Sequence, residues 1–183
     1  MLASAALADT LATVAETPAA ARVLALDGPP GPWIPDGFVI VPQMGRGLGE
    51  RCANAFAAVT GPAVLVGMDT PQLSRAILLE AMRALGEPGV GAVLGPAVDG
   101  GWWIAGLRQA DPRVFVGVPM STSHTFSDQR TRLARLGLRT RLLPVLRDVD
   151  TFDDALAVAA EIPASRFAAA LAGLDLDAAS TAG

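Results

Sequence analysis

Asp148 and Asp150, two positions apart in Leu146-Arg147-Asp148-Val149-Asp150-Thr151, are the residues best placed to do chemistry. In an extended segment residues two apart share a side, so both carboxylates point one way and Val149 the other. Two like charges about 4 Å apart repel by roughly 4 kcal/mol at an effective dielectric near 20. A divalent cation removes that repulsion, and Mg²⁺ or Mn²⁺ accepts oxygen ligands of this type. Two plainer readings stand beside it. Arg147 neutralises the pair, or Asp150 with Thr151 and Asp153 merely opens the following helix.

Asp69 ends the apolar, partly β-branched run Val64-Leu65-Val66-Gly67-Met68, just before Thr70-Pro71. Such a run delivers a charged side chain to the carboxyl edge of a parallel sheet, where ligands bind. Alone, Asp69 reads equally as a turn or capping residue. Asp99-Gly100-Gly101-Trp102-Trp103 sets a third acid before two glycines and two indoles. The glycines permit a bend or the close approach of a ligand, and the indoles offer a stacking wall. A glycine turn leading into a core strand accounts for the same residues.

The other candidates are weaker. Gln43-Met44-Gly45-Arg46-Gly47-Leu48-Gly49-Glu50-Arg51 could turn N–H groups and arginine charge toward a phosphate. It matches neither the dinucleotide fingerprint nor the Walker loop. Ser121, His124 and Asp128 fall near one helix face without a nucleophile elbow, so Ser121 or Thr122 as a helix cap explains them better than a hydrolytic triad. Cys52 reads as a small core residue.

These acids need elements to hold them, and strand-like and helix-like segments alternate along the chain. Strands are expected over residues 22–26, 38–41, 63–66, 90–94, 102–107 and 139–143. Helices are expected over 2–15, 48–59, 74–85, 122–136 and 152–160, with Ser74 as a cap. Continuous apolar strands between helices indicate a sheet covered on both faces. The fold class is α/β, a three-layer α/β/α sandwich with a mostly parallel sheet.

Composition narrows the function. The chain has 183 residues, 51% hydrophobic and 17% charged, which suits one domain with a real core rather than disorder. Its net charge of −4 argues against general nucleic-acid binding. All 14 basic residues are arginine, so Schiff-base chemistry on lysine is excluded, and a phosphate must be met by arginine, backbone N–H groups or a metal. No apolar stretch approaches the roughly 20 residues of a membrane span. The alanine-rich start has no basic residue before its apolar part, which fits an amphipathic helix rather than a signal peptide. With one cysteine there is no disulfide framework, and a cytoplasmic location is expected.

Taken together, the motifs resemble a bacterial family of uncharacterised transferases with the glycosyltransferase-A fold, sometimes labelled radical-SAM/selenodomain-associated transferase. Molybdenum-cofactor guanylyltransferase and phospholactate guanylyltransferase are wider relatives. The resemblance rests on Gln43-x-x-x-Gly47-Leu48-Gly49-Glu50-Arg51, Gly67-x-Asp69-x-Pro71, Leu94-Gly95-Pro96-Ala97-x-Asp99-Gly100-Gly101, Ser121-Thr122 and Leu146 to Thr151. It implies a metal-dependent glycosyl or nucleotidyl transferase acting on a nucleotide or nucleotide-sugar donor and a small-molecule acceptor. By the resemblance Asp69, Asp148 and Asp150 hold Mg²⁺ or Mn²⁺, and Asp69 and Asp99 carry the catalysis. Gly47, Gly49, Arg51, Gly100, Gly101, Trp102, Ser121 and Thr122 then line the nucleotide and substrate site.

The chain departs from the family in two ways. Trp102-Trp103 stands where tyrosines are usual. The family also opens with a strand and a lysine- and glycine-rich phosphate loop, whereas this chain begins inside the helix that follows. Residues 1–183 are therefore expected to form a single domain, incomplete at its amino end, with the extra strand falling between 22–26 and 63–66. An upstream segment, another strand or a second chain in a homo-oligomer would fill that place. The competing functional class is a non-catalytic relative that binds or scaffolds.

Overall fold

Apolar strands and amphipathic helices alternate in the computed structural model of the chain, which describes residues 2–180 and the side chains of residues 2–174. The order is α1 (Leu2–Glu16), β1 (Arg22–Leu26), β2 (Phe38–Pro42), α2 (Leu48–Ala57), β3 (Ala63–Val66), α3 (Arg75–Gly86), β4 (Ala92–Pro96) and β5 (Trp102–Leu107). A 3-10 turn at Pro112–Val114, then α4 (Thr125–Arg135), β6 (Thr140–Leu142), α5 (Phe152–Glu161) and α6 (Arg166–Ser180), complete it.

Local chemistry explains the boundaries. Ser74 starts α3 by accepting from the Ile77 N–H at 3.3 Å. Thr151 and Asp154 form a reciprocal capping box at α5. The expected cap at Ser121 or Thr122 is corrected: α4 begins at Thr125, with His124 in the cap position. The Thr122 hydroxyl instead receives the His124 N–H at 3.2 Å and organises the turn before the helix. Helix α6 has no counterpart in the sequence expectations, since its alanine-rich stretch has weak apolar periodicity. It is anchored by tertiary contact: the Asp9 carboxylate on α1 accepts from the N–H groups of Arg166 and Phe167 at 3.3 and 2.8 Å.

The strands form two sheets. β1 and β2 pair in parallel, and the larger sheet runs β3-β5-β4-β6. β5 is antiparallel to β3 and to β4, while β4 and β6 are parallel. Hence β3, β4 and β6 all run one way, and their carboxyl ends share an edge. The return strand β5 between them was not separable from the others by its apolar run. β1 and β3 are not paired with each other; β2 is the partner of β1 and β5 that of β3.

Helices cover both faces. Cys52, Ala53 and Phe56 of α2 and Leu133 of α4 pack with Ala92, Leu94, Ala105 and Leu107 on one side. Leu78, Ala81 and Leu85 of α3 pack with Val93, Trp103, Ile104 and Leu143 on the other. α1, α5 and α6 join through Ala6, Ala155, Val158, Phe167 and Leu171. Among the described residues no helix is long and apolar enough to cross a membrane.

One irregularity matters for the site. The β4–β5 register shifts at Gly95/Pro96, so Gly95 pairs with Ile104 but Pro96 with Trp102. Trp103 is the extra residue of this β-bulge. It joins Ile104 on the α3 face, while Trp102 packs on the α2 and α4 face with Ala105. Strict alternation would put Trp102 beside Ile104 instead. A Cβ at Gly95 would lie 2.5 Å from the Trp103 ring, so glycine is what leaves room for the bulged indole.

Candidate functional site

A cavity of about 390 Å³ opens at the carboxyl ends of β3, β4 and β6. Asp69 reaches it just past β3, Asp99 from the β4–β5 turn, and Asp148 and Asp150 from the segment after β6. Main-chain bonds draw these segments together. Leu146 N–H donates to Pro96 at 3.1 Å, Val98 N–H to Leu146 at 3.0 Å, and Val149 N–H to Asp69 at 2.8 Å. A Cβ at Gly67 would lie 2.5 Å from Asp69 Oδ1, so that glycine gives the carboxylate its space.

Asp99, Asp148 and Asp150 each offer an oxygen within 4.8 Å of the others. Asp69 lies in the wall of the same cavity but outside that trio, so the tightest cluster has Asp99 where the sequence expectation had Asp69. Burial first, and then the charges of Asp99, Asp150 and Asp69, push the Asp148 carboxyl up to about 6. Burial and the charges of Asp99 and Asp69 also raise Asp150. No arginine lines the cavity. Arg147 is turned away to Asp154, 2.7 Å from its Oδ1. The Thr151 hydroxyl and Arg147 hold Asp154 down at about 2. Arg147 therefore does not neutralise the pair, and helix capping falls to Thr151 rather than Asp150.

The remaining wall combines apolar and hydroxyl groups. Leu48, Leu65, Met120 and Trp102 line it together with Ser121, Thr122, Ser123 and Thr125. Ser121 has φ 57, the one non-glycine residue in the left-handed region among the described residues. Such strain costs roughly 1–3 kcal/mol and gathers at functional sites. The Trp102 indole N–H is buried without an acceptor. Gly101 lines the cavity, and its N–H donates to Asp99 Oδ1 at 2.6 Å, orienting that carboxylate. Gly100 has φ +94, and a Cβ there would stand 2.1 Å from the Ser123 carbonyl oxygen. Its own carbonyl accepts from Phe126 N–H at 2.8 Å, which pins the acid turn to the start of α4.

The glycine-rich segment reaches this cavity through Leu48. Gly47, Gly49 and Arg51 do not line this cavity. Gly49 allows α2 to approach the 3-10 turn, since a Cβ would lie 2.8 Å from the Phe115 carbonyl oxygen. Arg51 bonds Gln43 at 2.9 Å and lies 3.8 Å from Asp27. Cys52 is a buried core residue that also lines the cavity, and burial raises its thiol to about 11, which keeps it protonated rather than a thiolate. Ser123, Thr125, Leu65 and Met120 escaped the sequence reading; the run of hydroxyls from Ser121 to Ser123 was the one available sign of the first two.

A family model described as "Uncharacterized protein conserved in bacteria (DUF2064)" matches residues 3–122. The chain belongs to the DUF2064 family. The DUF2064 match spans Asp69 and Asp99 and stops before Asp148 and Asp150, which the fold brings to them. A crystal structure from Desulfovibrio desulfuricans G20, described as a candidate nucleotide-diphospho-sugar transferase, has TM-score 0.72 and 27% identity, covering 82% of this chain and 70% of that one. CMP:2-keto-3-deoxy-manno-octonic acid synthetase, solved with CTP, has TM-score 0.59 and 11% identity, covering 86% and 87%. No curated protein sequence matches. This DUF2064 chain thus has a glycosyltransferase-A type fold, shared with nucleotide-using transferases.

Proposed function

We propose that the protein transfers a glycosyl or nucleotidyl group from a nucleotide or nucleotide-sugar donor to a small-molecule acceptor. The observation that carries this reading is the meeting of Asp99, Asp148 and Asp150 within 4.8 Å, in a cavity that no arginine lines. Three hard oxygen donors with uncompensated charge suit Mg²⁺ or Mn²⁺. Such a cation, when bound, neutralises charge on the donor phosphates and on the leaving diphosphate or pyrophosphate. The relatives support a nucleotide donor, one being described as a nucleotide-diphospho-sugar transferase and the other solved with CTP.

The chain's own groups divide the remaining work. Gly101 lets a ligand approach the main chain, and Trp102 offers its ring and its unpartnered N–H. Ser121 and Thr122 supply hydroxyls in the cavity lining. Asp69, outside the trio, is the carboxylate available to take the proton of an acceptor hydroxyl. That oxygen then bonds to the transferred carbon or phosphorus as the bond to the leaving phosphate breaks.

Binding without catalysis remains the competing class, and one observation favours it: Arg51 is engaged with Gln43 and Asp27. A thermal-shift screen of nucleotides and nucleotide sugars with and without Mn²⁺ tests donor binding. At least one should raise the unfolding midpoint only with Mn²⁺, because a ligand that binds the native state alone stabilises it. No shift with any of them overturns the reading. Release of nucleoside diphosphate or pyrophosphate from the bound donor then separates transfer from binding.

A further inference from the structure

A second cavity, about 490 Å³, is a groove between α4 and the edge strand β6. Its lining is mixed: Ala134, Leu138 and Leu142, the last 43% exposed, are apolar, and Ser127, Thr131, Thr140 and Arg130 are polar. β6 ends its sheet. Arg139 accepts from Gly91 and Ala92, and Leu143 donates to Leu94, so alternate residues turn their main chain toward β4. The N–H and C=O groups of Thr140 and Leu142 consequently face outward, and their side chains line the groove. Arg141 projects from the opposite face of the strand.

The charge around this edge is one-sided. Residues 112–147 contain a single acid, Asp128, against Arg130, Arg132, Arg135, Arg139 and Arg141 in the stretch just after it. None of those five meets a carboxylate among the described residues. Arg132 and Arg139 are spent on main-chain carbonyls, while Arg130 lies 5.8 Å from the Phe126 ring centre. A basic strand edge on a chain of net charge −4 resists pairing with its own kind and favours an acidic partner.

We infer that this edge docks an extended acidic segment of a partner protein, which adds to β6 as a further strand. Main-chain hydrogen bonds to Thr140 and Leu142 would hold it. Its apolar side chains would alternate into the groove, and its carboxylates would fall on the opposite face toward Arg141, with one at the groove end toward Arg130. A nucleic acid would use the charge but neither the apolar part of the lining nor the strand edge.

Fluorescence polarisation with a labelled peptide of alternating glutamate and valine, in which one terminal valine is replaced by glutamate so that a carboxylate also falls on the groove face, tests this. Saturable binding is expected, weakening at least about tenfold in the Arg130→Glu/Arg141→Glu double variant and with added salt. N-methylation of the peptide on the side facing β6 should abolish it. Far-UV circular dichroism and the thermal midpoint verify that the variant is folded. Absence of binding, equal binding of the N-methylated peptide, equal binding to a short oligonucleotide, or unchanged affinity in the folded variant each overturns the proposal.

Discussion

The main-chain N–H of Val149 donates to the carbonyl of Asp69 across 2.8 Å. This bond sets the Asp148 and Asp150 side chains beside the end of β3, although 79 positions of chain lie between the bonded residues in a numbering from 69 to 149. It places Asp69 on the same edge of the sheet as the later acids.

The trio predicts a graded response to substitution. Asp99→Asn, Asp148→Asn and Asp150→Asn should each weaken Mn²⁺ binding at least about tenfold, the loss expected when one oxygen ligand of a hard cation goes. Asp69→Asn should weaken it less while still lowering turnover. Titration of Mn²⁺ followed by electron paramagnetic resonance separates these outcomes. A larger loss in Asp69→Asn than in Asp99→Asn would return the ligand role to Asp69.

Acid titration should leave a signature in the metal-free protein. Asp148 has its pKa raised from 3.8 to about 6, so between those values the native state keeps a proton that the unfolded chain has lost. This relative stabilisation is fully present below 3.8 and disappears as pH rises through about 6. Urea unfolding at about pH 4.5 and about pH 6.5 should show a decline that is smaller in Asp148→Asn. Asp150 contributes in the same direction, and protonation of either acid should oppose metal binding.

Gly100→Ala should destabilise the fold by about 2–4 kcal/mol, because the new methyl overlaps main chain and the backbone is left-handed there. The overlap is with the Ser123 carbonyl, at 2.1 Å from the new atom. A lowered urea midpoint with an unchanged m-value measures it. Stability equal to the parent would mean that the acid turn and the start of α4 shift freely.

Thr151→Ala removes the cap of α5 and should cost about 1 kcal/mol. It also deletes the largest influence holding Asp154 at about 2, so that carboxyl should titrate higher. Nuclear magnetic resonance titration of the Asp154 carboxyl in both proteins checks the sign.

Much of this was legible from local pattern. The runs at 22–26, 63–66 and 102–107 became β1, β3 and β5 with those bounds, and Ser74 capped α3, because side-chain alternation and capping act over a few residues. The carboxylates after β3 and β6 and the turn before β5 could be named from the order of residues alone. What they do together could not. Asp99 joins Asp148 and Asp150 because β6 pairs in parallel with β4, so that the chain after each leaves at the same edge, a choice of strand order made by long-range packing. Trp102 faces the cavity because a bulge takes up Trp103, and a bulge shows no sign in a run of apolar residues. Gly49 and Arg51 look like a phosphate loop in sequence, yet Gly49 serves contact with the Phe115 carbonyl and Arg51 the hold on Gln43. Residue type sets what a side chain can do; the neighbours that tertiary packing brings within a few ångströms decide which of those things it does.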